Sequence, residues 1–369
     1  MKKRLIAYDV LRIAAALMVL CFHFDAAVPQ YIDAPTYPSP FVTGLGTHLL
    51  GGNVAVCIFF MLSGALSAKD IERDSFDVVA YWRKRASRLF VPFFLSWFLV
   101  VFARYLFQRR PFMGIPKSRL LLTATGLDGY LTGFGVSCFG LVGEWFFGAL
   151  VIVTAIWPVV RWALSRRYVP TLLALVVLEL AAFGVCQAFI GDQGRAVMIA
   201  WRLPTTCLAS YAAGAALLRF CGRLREGRPA VVRYGMVALL LLAGALFPYG
   251  TAWGNIGYQL AAAGFFCTAT FLQADVGKLL EGGGIGHGRS LPSRLVVGLS
   301  NLTMYVFMFQ RAVIYAVLDQ VGAAVGDRAV GLGDTSLVLA VIIAMTFLFA
   351  FLALRLEKSI CRYFAQIRA

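Results

Sequence analysis

The predicted fold class is all-α: a polytopic integral membrane helix bundle of about ten transmembrane helices, and three observations predict it. The chain of 369 residues is 60% hydrophobic and 14% charged, with a mean hydropathy of +0.78. An average soluble protein is about 45–50% apolar and about 25% charged, so this chain lacks the polar residues to cover a water-soluble globule. Apolar windows of about 20 residues, the length needed to cross a bilayer, recur from end to end. Finally, Lys and Arg collect on alternate loops, as they do in membrane proteins whose cytoplasmic loops are basic.

Taken in order, the windows fall at 5–24, 47–68, 88–107, 142–163, 168–190, 203–220, 231–249, 254–274, 296–317 and 335–355. The first follows MKKR, which raises the possibility of a cleaved signal peptide. A signal's apolar core runs uninterrupted over about 7–15 residues. Here Asp9, Arg12 and His23 interrupt or bound the run, which predicts a retained first helix. Segment 118–136 is apolar but broken by Thr123, Thr125, Gly126, Asp128 and Gly129, so it is expected as a re-entrant or interfacial piece. With the N-terminus cytoplasmic, the inner segments hold 24 Lys and Arg, the outer segments 7, and Arg12, Arg104 and Arg311 lie inside spans. That asymmetry predicts both termini on the cytoplasmic side of a multi-pass plasma-membrane protein.

Residues 1–369 read as a single transmembrane domain with no appended soluble domain, because no loop is long enough to bury a core of its own. The GGGIGHGRS stretch at 282–290 has linker composition. There is no internal repeat of the kind that builds inverted-repeat transporters. The net charge of +16 would suggest nucleic acid in a soluble protein. Here basic cytoplasmic loops account for it, and no nucleic-acid partner is expected. Of the eight cysteines, Cys21, Cys57, Cys207, Cys221 and Cys267 lie in or beside apolar runs, where Cys behaves as a small hydrophobe. No CxxC or Cys/His spacing suggests a metal.

Charged side chains within the bilayer cost at least about 2.5–3.5 kcal/mol each on insertion scales, so they call for a reason. The first helix carries Asp9, Arg12 and His23. Arg12 and His23 are eleven residues apart, which at 100° per residue leaves them about 20° apart in azimuth and roughly 16 Å apart along the axis. Asp9, three residues before Arg12, is placed to pair with it. Taken singly, Arg12 could snorkel to the inner headgroups and His23 could bond a neighbouring helix. Together on one face they favour a polar cavity.

Several segments carry a family resemblance. YDVLR opens a helix containing Arg12-x10-His23, and FFMLSGALSA follows at Phe59 to Ala68. Next come YWRKRASRLFVPFF at Tyr81 to Phe94, with Arg85 and Arg88 as an RxxR element, and GEWFFGALVIVTAIWP at Gly143 to Pro158. LSNLTMYVFMFQ completes the set at Leu299 to Gln310. In this order the segments resemble the membrane acyltransferase-3 family over nearly the whole chain. Two departures stand out: Gln310 where the family often has His, and Ala65 where it has Phe.

The resemblance implies a membrane-bound O-acyltransferase. It would move an acyl group, acetyl being the leading candidate, from cytoplasmic acyl-CoA to a hydroxyl of a cell-surface carbohydrate or lipid-linked sugar. It also implies that His23 is the general base or an acyl carrier, and that Arg12 binds the donor or orders the site. An unperturbed imidazole, with a pKa near 6.5, is largely neutral at working pH and accepts a proton. Lys84, Arg85 and Arg88, with Arg83, sit at the inner mouth of the third span. If that segment is helical, Arg85 and Arg88 share a face and could hold donor phosphates. Glu144, at the outer start of the fourth helix, could orient His23 or bind the acceptor, and Arg311 is kept as a cavity residue. His48 is expected to be a solvated residue at the outer start of the second helix, while Asn53 and Ser63 are read as interhelical hydrogen-bonding residues. The competing class is a transporter or flippase for lipid-linked sugars, which would also place ionisable residues in the bilayer.

Overall fold

The computed structural model describes residues 5–32, 48–71, 75–108, 115–139, 142–281, 290–326 and 331–367, and among these residues the regular structure is entirely helical. The helices are α1 (Ile6–Ala27), α2 (Gly52–Ile71), α3 (Val78–Gln108), α4 (Leu120–Thr125), α5 (Asp128–Thr132), α6 (Glu144–Arg166) and α7 (Tyr168–Phe189). They continue as α8 (Gln193–Arg202), α9 (Pro204–Gly227), α10 (Ala230–Leu246), α11 (Asn255–Glu281), α12 (Leu291–Val325) and α13 (Leu332–Ile367).

Each of the ten apolar windows falls on one of these helices. Eight of the helices are long and apolar enough to cross a membrane: α1, α2, α3, α6, α7, α11, α12 and α13. The other two windows fall on α9, whose C-terminal end carries Arg219, Arg223, Arg225 and Glu226, and on α10, with 17 residues. Several helices outrun their windows. Hydropathy reads only the stretch that lipid would surround, whereas backbone hydrogen bonding carries α3 back through Arg83–Arg88 to Val78 and α13 on past Arg355.

Segment 118–136 is no span. A 3-10 turn at Lys117–Arg119 leads into α4, Gly126 caps it in the left-handed region (φ 73°), and α5 follows after one residue. Asp128 pins the turn: its carboxylate accepts from the Thr123 hydroxyl at 3.1 Å and from the Phe139 backbone N–H at 2.9 Å. The short amphipathic helix α8 was not anticipated from the sequence. It begins where the Asp192 side chain accepts from the Arg195 N–H at 2.6 Å, the ordinary way to satisfy an N-terminal donor.

The bundle centres on α1 and α2, with α7 and α13 turning most of their surface outward. α1 packs against α12, α2 and α11, α2 packs along α9, and α10 packs along α11. The α2–α9 crossing explains part of the SGA motif. A Cβ at Gly64 would overlap the Tyr211 carbonyl, and one at Gly214 would overlap the Met61 carbonyl. The two glycines therefore let the backbones meet, as small residues do where helices have no hydrophobic force between them in lipid.

Candidate active site

The site is built outward from α1. Near its N-terminal end two neighbours fix its rotation. On one side the Tyr8 hydroxyl bonds Thr270 of α11 at 2.8 Å, and the Ala7 N–H donates to Gln273 at 3.1 Å. On the other side Asp9, Arg12 and Ser300 of α12 close a triangle. The Arg12 guanidinium donates to Asp9 at 3.2 Å and to Ser300 at 3.1 Å, and the Ser300 hydroxyl donates to Asp9 at 2.6 Å. Asp9 is buried, whereas the Arg12 side chain keeps about a quarter of its surface open (24%). The acid lies in the first turn of α1, where the helix dipole also favours it.

The triangle sets which way the rest of α1 faces. His23 lies about 20° in azimuth from Arg12, so it projects from the face that Arg12 turns toward α12. The two helices run parallel and in step. Ser300 meets Asp9, and 22 residues further along both chains Gly322 comes up against the Tyr31 carbonyl. His23 is half-buried, and its ring lies 5.7 Å from that of Phe22. Two other elements reach this stretch of α1 and α12. A Cβ at Gly52, the start of α2, would press on the Phe22 ring at 2.8 Å. Gly143, the left-handed residue (φ 74°) that starts α6, faces Met308 of α12. The backbone of Glu144 is thereby brought to the middle of the α1–α12 pair, while its side chain lies outside the described residues.

The basic cluster divides in two. Arg85 is half-buried and turns inward. It donates to Ser67 of α2 and, at 3.2 Å, to the hydroxyl of Tyr211 of α9, and its guanidinium lies 5.6 Å from the centre of the Tyr81 ring. Ser67 and Tyr211 also bond each other at 2.7 Å. Arg83, Lys84 and Arg88 are exposed. The i, i+3 pair therefore shares a helix but not an environment.

Arg311 is exposed on α12, donating to the Tyr315 hydroxyl at 3.2 Å with its guanidinium over that ring. It belongs to a cluster with Arg104 and Tyr31. Burial, followed by the neighbouring Tyr315 and Asp319, pushes the Tyr31 phenol above its usual range, against the pull of Arg104 and Arg311. His48 is a correction. It is packed, not solvated: its ring stacks on Tyr249 at 3.6 Å and its Nδ1 bonds the Ala245 carbonyl at 3.0 Å. The aromatic surface where α10 and α11 meet takes up a residue that sequence alone reads as interfacial. Glu179 was missed. It is buried midway along α7, and Gln259 of α11 donates to it at 2.6 Å while also donating to Ser210 of α9 at 3.0 Å. The signal was present, since it is the lone carboxylate in the apolar run 168–190. Among the described residues, no group of three His, Cys, Asp or Glu is placed to hold a metal ion.

A bundle of apolar helices, eight of them among the described residues long enough to cross a bilayer, whose first and twelfth members are joined at one end by a buried polar triangle, is the architecture of a multi-pass membrane protein. The sequence pattern of a family described as an acyltransferase domain matches residues 5–355, almost the whole chain. The chain belongs to this acyltransferase-3 family, which supports a membrane acyltransferase activity. Neither the curated proteins nor the solved structures hold a match to it.

Proposed function

We propose that the protein is a ten-span plasma-membrane O-acyltransferase with both termini in the cytoplasm. It takes an acetyl group from cytoplasmic acetyl-CoA and delivers it to a hydroxyl of a cell-surface carbohydrate or lipid-linked sugar at the outer side. The observation that carries this reading is the Asp9–Arg12–Ser300 triangle. By holding the first turns of α1 against α12, it turns the face bearing His23 into the seam between two parallel helices. A basic inner end and an imidazole near the outer end then lie along one route.

In this mechanism Arg85, aided by the exposed Lys84 and Arg88, holds donor phosphates at the inner mouth. Arg12 orders the passage for the pantetheine arm, and His23 takes the proton of the attacking hydroxyl or carries the acyl group itself. Glu144 and Arg311 are proposed on the acceptor side. General-base catalysis is typically worth about 10²–10⁴-fold, and His23→Ala should remove at least that factor. The measurement is incorporation of labelled acetyl into membranes containing the wild-type or variant protein at matched membrane levels. Transfer at the wild-type rate by the variant would refute the role of His23.

A further inference from the structure

Gln310 of α12 is completely enclosed, and among the described residues neither its amide nitrogen nor its amide oxygen has a hydrogen-bond partner. Buried amides are nearly always paired, so one left with both atoms unsatisfied calls for an explanation. A leucine or methionine at this position would remove both unsatisfied atoms and suit the apolar surroundings better. Stability does not account for the amide.

Its position suggests what does. The in-step register of α1 and α12 sets Gln310 level with Val19 and Leu20, about one helical turn inside His23. Val306, Phe309 and Val313, around it on α12, share a core with Leu20 and Phe24 of α1. Met308, two residues before it, meets Gly143 at the start of α6. The amide thus lies within about one turn of the level where the acyl carbon has to sit if His23 serves the attacking hydroxyl.

We infer that Gln310 is a catalytic residue whose amide N–H₂ donates to the acyl carbonyl oxygen as that oxygen becomes negative. This rests on the acyl transfer proposed above. The acceptor hydroxyl oxygen attacks the thioester carbon and its proton passes to His23. As the new C–O bond forms, the carbonyl π electrons move onto the oxygen held by Gln310. The carbonyl then re-forms, the C–S bond breaks, and the CoA thiolate leaves, taking the proton from His23. A neutral amide suits this task because it carries no charge into the apolar seam. A fixed donor where water is excluded also stabilises a developing oxyanion better than one in water.

Gln310→Leu and Gln310→Met test the role in the full-length protein in membranes, with labelled acetyl-CoA as donor and incorporated acetyl as readout. The expected result is a fall in kcat of about 10²–10³-fold, with the acetyl-CoA KM within about twofold of wild type. The unfolding temperature should be unchanged or higher, so activity and stability move in opposite directions. A kcat within about threefold of wild type in either variant overturns the inference. So does a drop in unfolding temperature in both, which would make the amide structural. Wild-type transfer that survives His23→Ala overturns the underlying mechanism instead, and is read in the same assay.

Discussion

Arg12 and Arg85 are both half-buried arginines in the N-terminal parts of their helices, yet their surroundings differ in kind. Arg12 has a buried carboxylate, Asp9, and a hydroxyl, Ser300, that bonds them both. Arg85 has two hydroxyls, Ser67 and Tyr211, which already bond each other, and the ring of Tyr81. The first guanidinium is neutralised where it stands, so its work is to hold two helices in register. The second is held by hydroxyls and a ring, and the donor-binding role proposed for it rests on that difference. Similar burial of the same residue type therefore says little about role until the partners are known.

Stability and catalysis should separate the two arginines. Arg12→Leu takes a charged partner from the buried Asp9 carboxylate, and breaking a buried pair in this way costs about 3–5 kcal/mol. A value near 3 kcal/mol is expected because Arg12 is partly open, and it is measured as loss of folded protein in a denaturant titration in detergent. Adding Asp9→Leu to Arg12→Leu should recover much of that loss, since apolar replacement of a whole buried pair is often near neutral. No recovery would mean that the triangle stabilises the fold as a unit rather than merely compensating its own charges.

Arg85→Leu should cost only about 1 kcal/mol of stability, because Ser67 and Tyr211 still satisfy each other. It should instead raise the acyl-CoA KM by about tenfold to a hundredfold, the worth of a charge-assisted hydrogen bond. An unchanged donor KM would remove Arg85 from donor binding. The smallest effect is expected from Lys84→Ala with Arg88→Ala: about a twofold rise in KM that disappears in high salt, since both side chains are exposed and screened.

Much of the architecture was legible because bilayer insertion is decided by local composition. Every apolar window falls on a helix, and the broken segment 118–136 folds as two short helices around Asp128. The pairing of Asp9 with Arg12 also follows from spacing alone, since residues three apart on a helix are neighbours. Less legible were features that depend on a partner helix. Arg85 and Arg88 look equivalent in sequence, but only Arg85 faces the α2–α9 crossing. His48 becomes a packed residue only because Tyr249 folds over it. Glu179 finds Gln259 80 residues away, a distance that no periodicity reaches.

The chain's own composition determined that it lives in a membrane, roughly where it crosses, and that Arg12 and His23 share one side of their helix. Those properties arise from side-chain hydropathy and from the constant turn of the α-helix, both local to the residues concerned. Which neighbour that side meets, which arginine turns to the α2–α9 crossing and which amide is left without a partner among the described residues were settled only by packing. In lipid, helices associate through close fit and interhelical hydrogen bonds, and both depend on residues that lie far apart along the chain.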